Sequence, residues 1–209
     1  MKQELNNYDR IARYYDRLSR LVFFQAQVSA QKDQLHLIQP DSRILIVGGG
    51  TGWILEEIST IYPEGLHITF IEISASMIEM AKKRAVGRNE VHFIHQAVEQ
   101  YEPIGNFDVV MTAFLFDNFA MERAATVFNK LYRLLNDRGL WLFADFTLTK
   151  GGGKWWKKSL LKLMYFFFRR IARVESHNLV NLDHLFAKLE MVVEKHYYHD
   201  FIRSTVYRK

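Results

Sequence analysis

The chain contains no cysteine and only three prolines among its 209 residues. Without cysteine, disulfide bonds, thiolate metal sites and cysteine nucleophiles are excluded, and a reducing compartment is compatible with the chain. The scarcity of proline, together with the absence of a serine- or glycine-rich linker and of internal repeats, indicates no domain boundary. Because 49% of the residues are hydrophobic, enough for a substantial core, we predict one domain over residues 1–209.

Long hydrophobic runs are also missing. Residues 1–20 mix Asn, Asp, Arg and Tyr and lack the apolar stretch of a signal peptide. The longest apolar run in the C-terminal third, 163–168, is far shorter than the roughly 20 residues that a membrane-spanning helix needs. The formal net charge of +5 is modest and is compatible with ordinary surface charge. We therefore expect a cytoplasmic protein that does not cross a membrane.

Strand-like and helix-like patterns alternate along the chain. Apolar, β-branched runs predict strands at 43–47, 67–72, 91–94, 107–112 and 140–146, and helical spacing predicts helices at 54–61, 77–86 and 121–135. The helical spacing of residues 8–38 predicts one or two helices, and Gly139 predicts a left-handed cap at the end of the last helix. The β-rich runs 191–198 and 201–207 predict a hairpin. Together these elements predict a doubly wound, Rossmann-like α/β fold: a mostly parallel seven-stranded sheet with N-terminal helices and a C-terminal antiparallel hairpin.

A glycine cluster follows the first predicted strand, with Gly48, Gly50 and Gly52 at alternate positions. Missing side chains let a backbone approach a ligand closely and adopt positive φ angles. The dinucleotide fingerprint places its third glycine five residues after the first, where this chain has Trp53. The spacing favours a nucleotide-like ligand other than NAD, and a tight turn without a ligand is the alternative.

Glu72 ends the second predicted strand. A carboxylate at this position can accept hydrogen bonds from both ribose hydroxyls of an adenosine. Its burial is tolerable only if such donors satisfy it, although a strand-end glutamate is often simply solvated. In combination with the glycine cluster, Glu72 predicts a nucleoside site.

These motifs resemble those of class I S-adenosylmethionine-dependent methyltransferases. The resemblance rests on 44–52, on 71–74 with 77–81, and on 107–110, and it spans roughly residues 8–146. The opening stretch 8–16 is similar, more loosely, to the start of the ubiquinone/menaquinone-biosynthesis methyltransferases, where this segment covers the cofactor. On this resemblance, residues 1–40 are expected to form a helical cover.

The resemblance implies S-adenosylmethionine as the cofactor and assigns residues to its parts. The implied contacts are Gly48, Gly50 and Gly52 with the methionine and ribose, Glu72 with the ribose, Ile73 and Met77 with the adenine, Gln96 and Ala97 with the adenine edge, Phe114 with the methionyl group, and Tyr14 as a cover. The chain departs from the family at Ile46, where an acid is usual, and at Gln96, where aspartate is common. A non-catalytic binding or regulatory protein is therefore an alternative. An enzyme that uses the aminopropyl arm of the cofactor instead of its methyl group is a more remote one.

Methyl transfer proceeds by in-line attack and needs no covalent enzyme intermediate, so catalysis consists largely of positioning and, where required, proton removal. Asp117 is the first candidate base, followed by Asp145, His177 and His184. His92 and His95 are separated by an odd spacing on a strand, which points their rings to opposite faces, so no metal site is predicted.

The sequence disfavours a nucleic-acid substrate, because residues 112–117 lack the Asn/Asp-Pro-Pro-aromatic turn of base amino-methylating enzymes and no cysteine is present. A small apolar or aromatic acceptor, such as a quinone, phenol or lipid, is expected instead. Residues 150–173 combine eight basic residues with aromatic clusters and contain no acid. The segment 150–180 is predicted to form a helical lid over the substrate or a peripheral membrane contact, with nucleic-acid binding the least favoured interpretation.

Overall fold

The computed structural model describes residues 25–147, 181–198 and 201–209. Tyr14, His177 and the basic, aromatic segment 150–180 lie outside the described residues, as does most of the predicted N-terminal cover. The predictions of a lid and of a membrane contact for 150–173 therefore remain predictions.

Five helices, seven strands and three short 3₁₀ turns make up the described part of the chain. The helices are α1 (Ala26–Lys32), α2 (Trp53–Ile61), α3 (Ala75–Ala81), α4 (Met121–Leu134) and α5 (Asp183–Phe186). The strands are β1 (Arg43–Val47), β2 (Glu64–Glu72), β3 (Arg88–His95), β4 (Phe107–Ala113), β5 (Leu135–Phe146), β6 (Met191–Tyr198) and β7 (Ile202–Arg208). The 3₁₀ turns are Leu35–Leu37, Val98–Gln100 and Phe116–Asn118.

The strands form one seven-stranded sheet in the order β3-β2-β1-β4-β5-β7-β6. Strands β1 to β5 pair in parallel, whereas β7 pairs antiparallel with both β5 and β6. The predicted fold, including the C-terminal hairpin, is confirmed. The strand order changes direction between β1 and β4, and at such a switch point the two loops that follow the strands diverge and leave a crevice for a ligand.

The strand register brings four loops to the same edge of the sheet. Val47, the last residue of β1, is paired with Ile71 of β2 and with Thr112 of β4. Glu72 of β2 is paired in turn with His95 of β3. Because parallel strands end at the same edge, the residues that follow β1, β2, β3 and β4 meet there.

The two faces of the sheet carry separate apolar clusters. Leu45 and Val47 of β1 pack with Phe128 of α4 on one face, whereas Ile44 and Ile46 pack with α2 on the other. All four β1 side chains are almost completely buried. A strand buried on both faces explains why residues 44–47 read as a continuous apolar run instead of an alternating pattern.

Two local predictions were wrong. Helix α3 ends at Ala81 and not at Val86, because Lys83 and Arg84 donate backbone hydrogen bonds to Met80 and Ala81 in a tightened final turn. At the α4–β5 junction the left-handed residue is Arg138, with φ 63°, and not Gly139. Glycine is needed at 139 for space, since a Cβ there would lie 2.7 Å from Leu135 Cδ1.

No helix within 25–147, 181–198 or 201–209 has the length and hydrophobicity to cross a membrane.

Gly52 and Gly50 occupy the same loop for different reasons. Both have positive φ angles, 73° at Gly52 and 60° at Gly50. A Cβ on Gly52 would lie 2.6 Å from Ala81 Cβ, whereas a Cβ on Gly50 would meet only Met77 Sδ, at 4.0 Å. Gly52 therefore allows α2 to begin against α3, and Gly50 faces open space.

Gly52→Ala should lower the free energy of unfolding of the ligand-free protein more than Gly50→Ala. Each variant carries the cost of a left-handed alanine, about 1–2 kcal/mol. Only Gly52→Ala adds an overlap with α3, and such overpacking costs about a further 1–3 kcal/mol. Urea unfolding of both variants measures the difference, and equal losses would contradict the assigned role of Gly52.

Candidate active site

A cavity opens at the carboxyl edge of the sheet, where the four loops meet. Eight of the ten expected cofactor residues line it: Gly48, Gly50, Glu72, Ile73, Met77, Gln96, Ala97 and Phe114. Gly52 does not line the cavity, because it packs against Ala81. Tyr14 lies outside the described residues.

The glycine loop is folded tightly onto β2. The backbone N–H of Gly48 donates to the Ile71 carbonyl over 2.9 Å, and the φ angle of Gly48 is 68°. Gly49, which the alternate-glycine pattern left unexplained, is also sterically required. A Cβ at this position would lie 2.2 Å from the buried Phe70 ring. Gly49 is a fourth glycine in this cluster, and the packing of the Phe70 ring explains why no side chain fits there.

Glu72 joins two of the loops through its carboxylate. Its Oε2 accepts from the Gly50 backbone N–H at 2.9 Å, and its Oε1 accepts from the N–H groups of Ile73 at 2.8 Å and Ser74 at 2.9 Å. The residue is only 5% exposed. The sequence argument expected ribose hydroxyls to compensate for this burial, but backbone donors already do so. Glu72 also lines the cavity, so a carboxylate fixed by backbone donors lies at the cavity wall.

The start of α3 places two apolar side chains on the cavity. Ser74 caps the helix, and its Oγ accepts from the Met77 backbone N–H at 3.2 Å. Ile73 precedes this cap and Met77 lies in the first turn, and both line the cavity. The cap therefore fixes an apolar wall directly beside the Glu72 carboxylate.

Sequence reasoning missed several polar residues that line the cavity. Gln27 and Gln31 come from α1, Glu99 from the turn after β3, Asn118 from the turn after β4, and Arg123 from α4. Glu99 Oε1 accepts from Arg123 Nε at 2.6 Å, and the Arg123 guanidinium lies 4.4 Å from the centre of the Phe119 ring. Helical spacing predicted a helix in this region, but it could not show which of the side chains of α1 face the cavity.

Ile46 lines the cavity and is 3% exposed. The departure from the family's usual acid thus leaves an apolar floor at this point. Gln31 of α1 is 8% exposed, and its Nε2 donates to the Gln27 carbonyl at 3.3 Å. The polar groups that α1 contributes to the cavity are therefore neutral amides.

Asp145 anchors the loop that follows β4. It is 4% exposed at the end of β5, and its Oδ1 and Oδ2 accept from the N–H groups of Phe146 at 2.8 Å and Phe116 at 3.2 Å. The same loop carries Phe114, which has a left-handed φ of 51° and donates its N–H to the Ala144 carbonyl. Asp145 thus fixes the backbone of this loop two residues beyond Phe114.

Asp117 lies next to this anchor and does not line the cavity. Its Oδ1 accepts from Asn118 Nδ2 at 2.8 Å. Desolvation, followed by the charge of Asp145, raises the pKa of Asp117 well above its ordinary value. Desolvation also raises the pKa of Asp145 to about 7, although its backbone donors oppose the shift. Near neutral pH the pair therefore retains a proton.

The remaining candidates for chemistry lie apart from the cavity lining. His92 contacts Glu90 at 2.9 Å, whereas His95 Nε2 lies 2.9 Å from the Ile73 carbonyl oxygen. His184 lies in the short helix α5. Within the described ranges, no three His, Asp or Glu side chains are grouped so that they could hold a metal ion.

Glu72→Gln should reduce the free energy of unfolding by roughly 1–3 kcal/mol even without a ligand, because an amide nitrogen would face a backbone N–H in place of an acceptor oxygen. Glu79→Gln on the exposed side of α3, where Glu79 pairs with Lys82, is the matched control. Denaturant unfolding at constant pH measures both variants. A loss at Glu72 no larger than that at Glu79 would show that the three backbone contacts contribute little.

Asp145→Asn should flatten the pH dependence of stability. A raised pKa in the folded state means that folded protein binds more protons than unfolded protein, so stability is highest in acid and is lost as the pH rises through about 7. Asparagine cannot titrate. The free energy of unfolding of the variant, relative to that of the parent, should therefore be higher at about pH 8 than at about pH 5. Unfolding free energies at both pH values test this, with exposed Asp137→Asn as the control. Parallel pH profiles for parent and Asp145→Asn would contradict it.

Known proteins with similar sequences are methyltransferases. The family described as "Methyltransferase domain" matches residues 44–139. The ubiquinone/menaquinone biosynthesis C-methyltransferase UbiE of Geotalea daltonii is 30% identical over 67% of this chain and 61% of its own length. A malonyl-[acyl-carrier protein] O-methyltransferase of Ilyobacter polytropus is 28% identical over 69% of this chain and 54% of its own length. The chain thus spans less than two thirds of these relatives.

Solved structures show the same fold. The N-methyltransferase NodS of Bradyrhizobium japonicum WM9 superposes with a TM-score of 0.62 and 14% identity, over 88% of this chain and 96% of NodS. A SAM-dependent methyltransferase of Aquifex aeolicus superposes with a TM-score of 0.61 and 16% identity, over 96% of this chain and 97% of that one. Strand order, glycine loop and sequence similarity agree: residues 44–139 match the methyltransferase domain family, and the chain has the Rossmann-like fold of S-adenosylmethionine-dependent methyltransferases.

Proposed function

We propose that the protein transfers the methyl group of S-adenosylmethionine to a small apolar or aromatic acceptor. The observation that carries this proposal is the cavity at the switch point, where the glycine loop, the Glu72 carboxylate and the ends of β3 and β4 surround one space. When bound, S-adenosylmethionine supplies an electrophilic methyl group on a positively charged sulfur. The chain must bind it, orient it and exclude water.

The residues present fit the adenosine half of this cofactor. Glu72 offers carboxylate lone pairs to the ribose hydroxyls, and its position is fixed by three backbone donors. Ile73 and Met77 provide apolar contact area for a flat ring. Gln96 directly follows β3, and its side-chain amide can both donate and accept hydrogen bonds.

The methionine half is bound differently from the family pattern. Ile46 offers no hydrogen bond, so the ammonium group must find acceptors elsewhere. The amide oxygens of Gln27 and Gln31 are available on α1, and both residues line the same cavity as Ile46. We assign these glutamines to the amino-acid end of the cofactor.

The acceptor is proposed from the relatives and from the apolar content of the cavity. The matched relatives are named for quinone and malonyl-[acyl-carrier protein] methylation. Phe114, Leu115 and Phe119 contribute apolar surface that suits a quinone, phenol or lipid-like molecule. Asp117 does not line the cavity, so we assign no general base, and an acceptor that is already ionised needs only positioning.

The second candidate is a non-catalytic, cofactor-binding protein. Ile46 favours it, because it replaces the family's usual acid. Among the described residues, Glu72 and Glu99 are the only acidic side chains on the cavity lining, and no histidine lines it. Calorimetric titration with S-adenosylmethionine and S-adenosylhomocysteine tests both candidates. Micromolar binding followed by methyl transfer to a quinone or phenol supports the enzyme. Binding without transfer to any acceptor tested supports the second candidate, and absence of binding contradicts both.

Gln31→Leu should weaken binding of S-adenosylhomocysteine about tenfold or more, as expected for loss of a hydrogen bond to a charged group. Binding of 5′-methylthioadenosine, which lacks the amino-acid end, should change little. Calorimetry with both ligands gives the comparison, and Gln39→Leu, at an exposed site away from the cavity, is the control. Equal weakening of both ligands by Gln31→Leu would contradict the assignment.

A further inference from the structure

Helix α1 carries the two glutamines assigned above to the amino-acid end of the cofactor, and it cannot hold its position by itself. It has seven residues, and its N-cap residue Gln25 makes no capping hydrogen bond with its side chain. A helix this short is marginal in water without tertiary contacts. The place of Gln27 and Gln31 on the cavity therefore depends on the contacts that join α1 to the rest of the protein.

Two neighbouring stripes of α1 face different parts of the protein. Ala26 and Ala30 are 3% and 0% exposed, and they pack near the carboxyl end of β5 and the start of β7. Gln27 and Gln31 each follow one of these alanines and line the cavity. Successive residues of a helix point about 100° apart. The depth at which the alanines lie on the sheet therefore also sets the position of the two amides over the cavity.

Gln34, two residues after the end of α1, joins this helix to the sheet. It is 2% exposed, and its Nε2 donates to the Phe143 carbonyl of β5 at 2.7 Å and to Ser204 Oγ of β7 at 2.6 Å. By contrast, the ion pair between Lys32 and Glu57 of α2 joins two partly exposed side chains, and such pairs contribute little. The buried amide is therefore the firmer of these two links.

The strand that binds Gln34 also binds a second part of the cavity wall. The Phe143 carbonyl accepts from Gln34, and the next carbonyl of β5, that of Ala144, accepts from the Phe114 N–H at 2.8 Å. Phe114 lines the cavity. Two consecutive peptide groups of β5 thus fix α1 and the loop after β4 relative to each other.

The stability that Gln34 adds does not by itself explain an amide at this position. Its Oε1 is buried without a hydrogen-bond partner among the described residues. An unpaired buried oxygen has a desolvation cost, which offsets part of what the two bonds of Nε2 contribute. The amide is explained better by the position that it imposes on α1 than by its net contribution to the free energy of unfolding.

We propose that Gln34 is a positioning residue of the cofactor site. It sets the height of α1 over the cavity and so holds the Gln31 amide where its oxygen accepts from the ammonium group of the cofactor. This inference rests on the proposed function and deepens it. Gln34 does not line the cavity, so its effect on the ligand passes through α1.

Calorimetric titration with S-adenosylhomocysteine and with 5′-methylthioadenosine, which lacks the amino-acid end, tests this role. Gln34→Met removes the donor and keeps the length of the side chain. It should weaken binding of S-adenosylhomocysteine about fivefold or more, because a displaced amide no longer meets the ammonium group. Binding of 5′-methylthioadenosine should change by less than about twofold, because that ligand makes no contact with the displaced group.

Thr112→Val is the matched control. It breaks another buried hydrogen bond of the same sheet, which Trp141 Nε1 donates to Thr112 Oγ1 at 2.9 Å. Thr112 does not line the cavity. The control variant should therefore leave the affinities for both ligands unchanged, even where it lowers the free energy of unfolding as much as Gln34→Met does.

A double variant separates positioning from a general loosening of the fold. If Gln34 acts through Gln31, Gln34→Met should weaken S-adenosylhomocysteine by less than about twofold in a Gln31→Leu background, because the group that it positions is gone. Full additivity of the two substitutions would overturn the inference.

Equal weakening of both ligands by Gln34→Met, in a parent protein that binds S-adenosylhomocysteine, would overturn the inference and leave the proposed function intact. Failure of the parent protein to bind S-adenosylhomocysteine would overturn both. If Gln34→Met does not fold, Ser204→Ala serves instead, because it removes the partner of Nε2 on β7. It should weaken S-adenosylhomocysteine more than 5′-methylthioadenosine, and equal effects on the two ligands would overturn the inference.

Discussion

The Glu72 carboxylate is the contact on which the candidate site depends. It accepts three backbone hydrogen bonds, one from the loop after β1 and two from the start of the loop after β2. Each loop by itself has several accessible conformations, since the first contains three positive-φ glycines. A buried anion that needs donors from both loops leaves only one arrangement fully satisfied, and that arrangement opens the cavity towards the ends of β3 and β4.

A second buried acid has the corresponding role on the other side of the switch point. Asp145 accepts a hydrogen bond from the Phe116 backbone N–H in the loop after β4, two residues beyond the left-handed Phe114. The two acids differ in their surroundings. Glu72 accepts from three backbone N–H groups and lines the cavity. Asp145 is instead buried next to Asp117, so that desolvation keeps a proton on the pair near neutral pH. One acid is suited to ligand contact and the other to structure.

Neutral polar groups line the cavity beside Ile46, the position where the family usually has an acid. The family acid lies on β1, but in this chain amides from α1 reach the same space. A neutral amide oxygen accepts a hydrogen bond without the desolvation cost of a second buried carboxylate near Glu72.

The sequence by itself predicted the order of strands and helices, the parallel sheet with its terminal hairpin, and eight residues that the fold brings to one cavity, because period, glycine position and motif order are local properties of a chain. Only the tertiary structure decided the rest. Gly52 contacts Ala81 and not the cavity, Gly49 is required by Phe70, Asp117 faces Asp145, and Glu99 is left with an unpaired oxygen. These features arise from contacts between residues distant in the chain, and a local pattern contains no information on which distant side chain will occupy the neighbouring space.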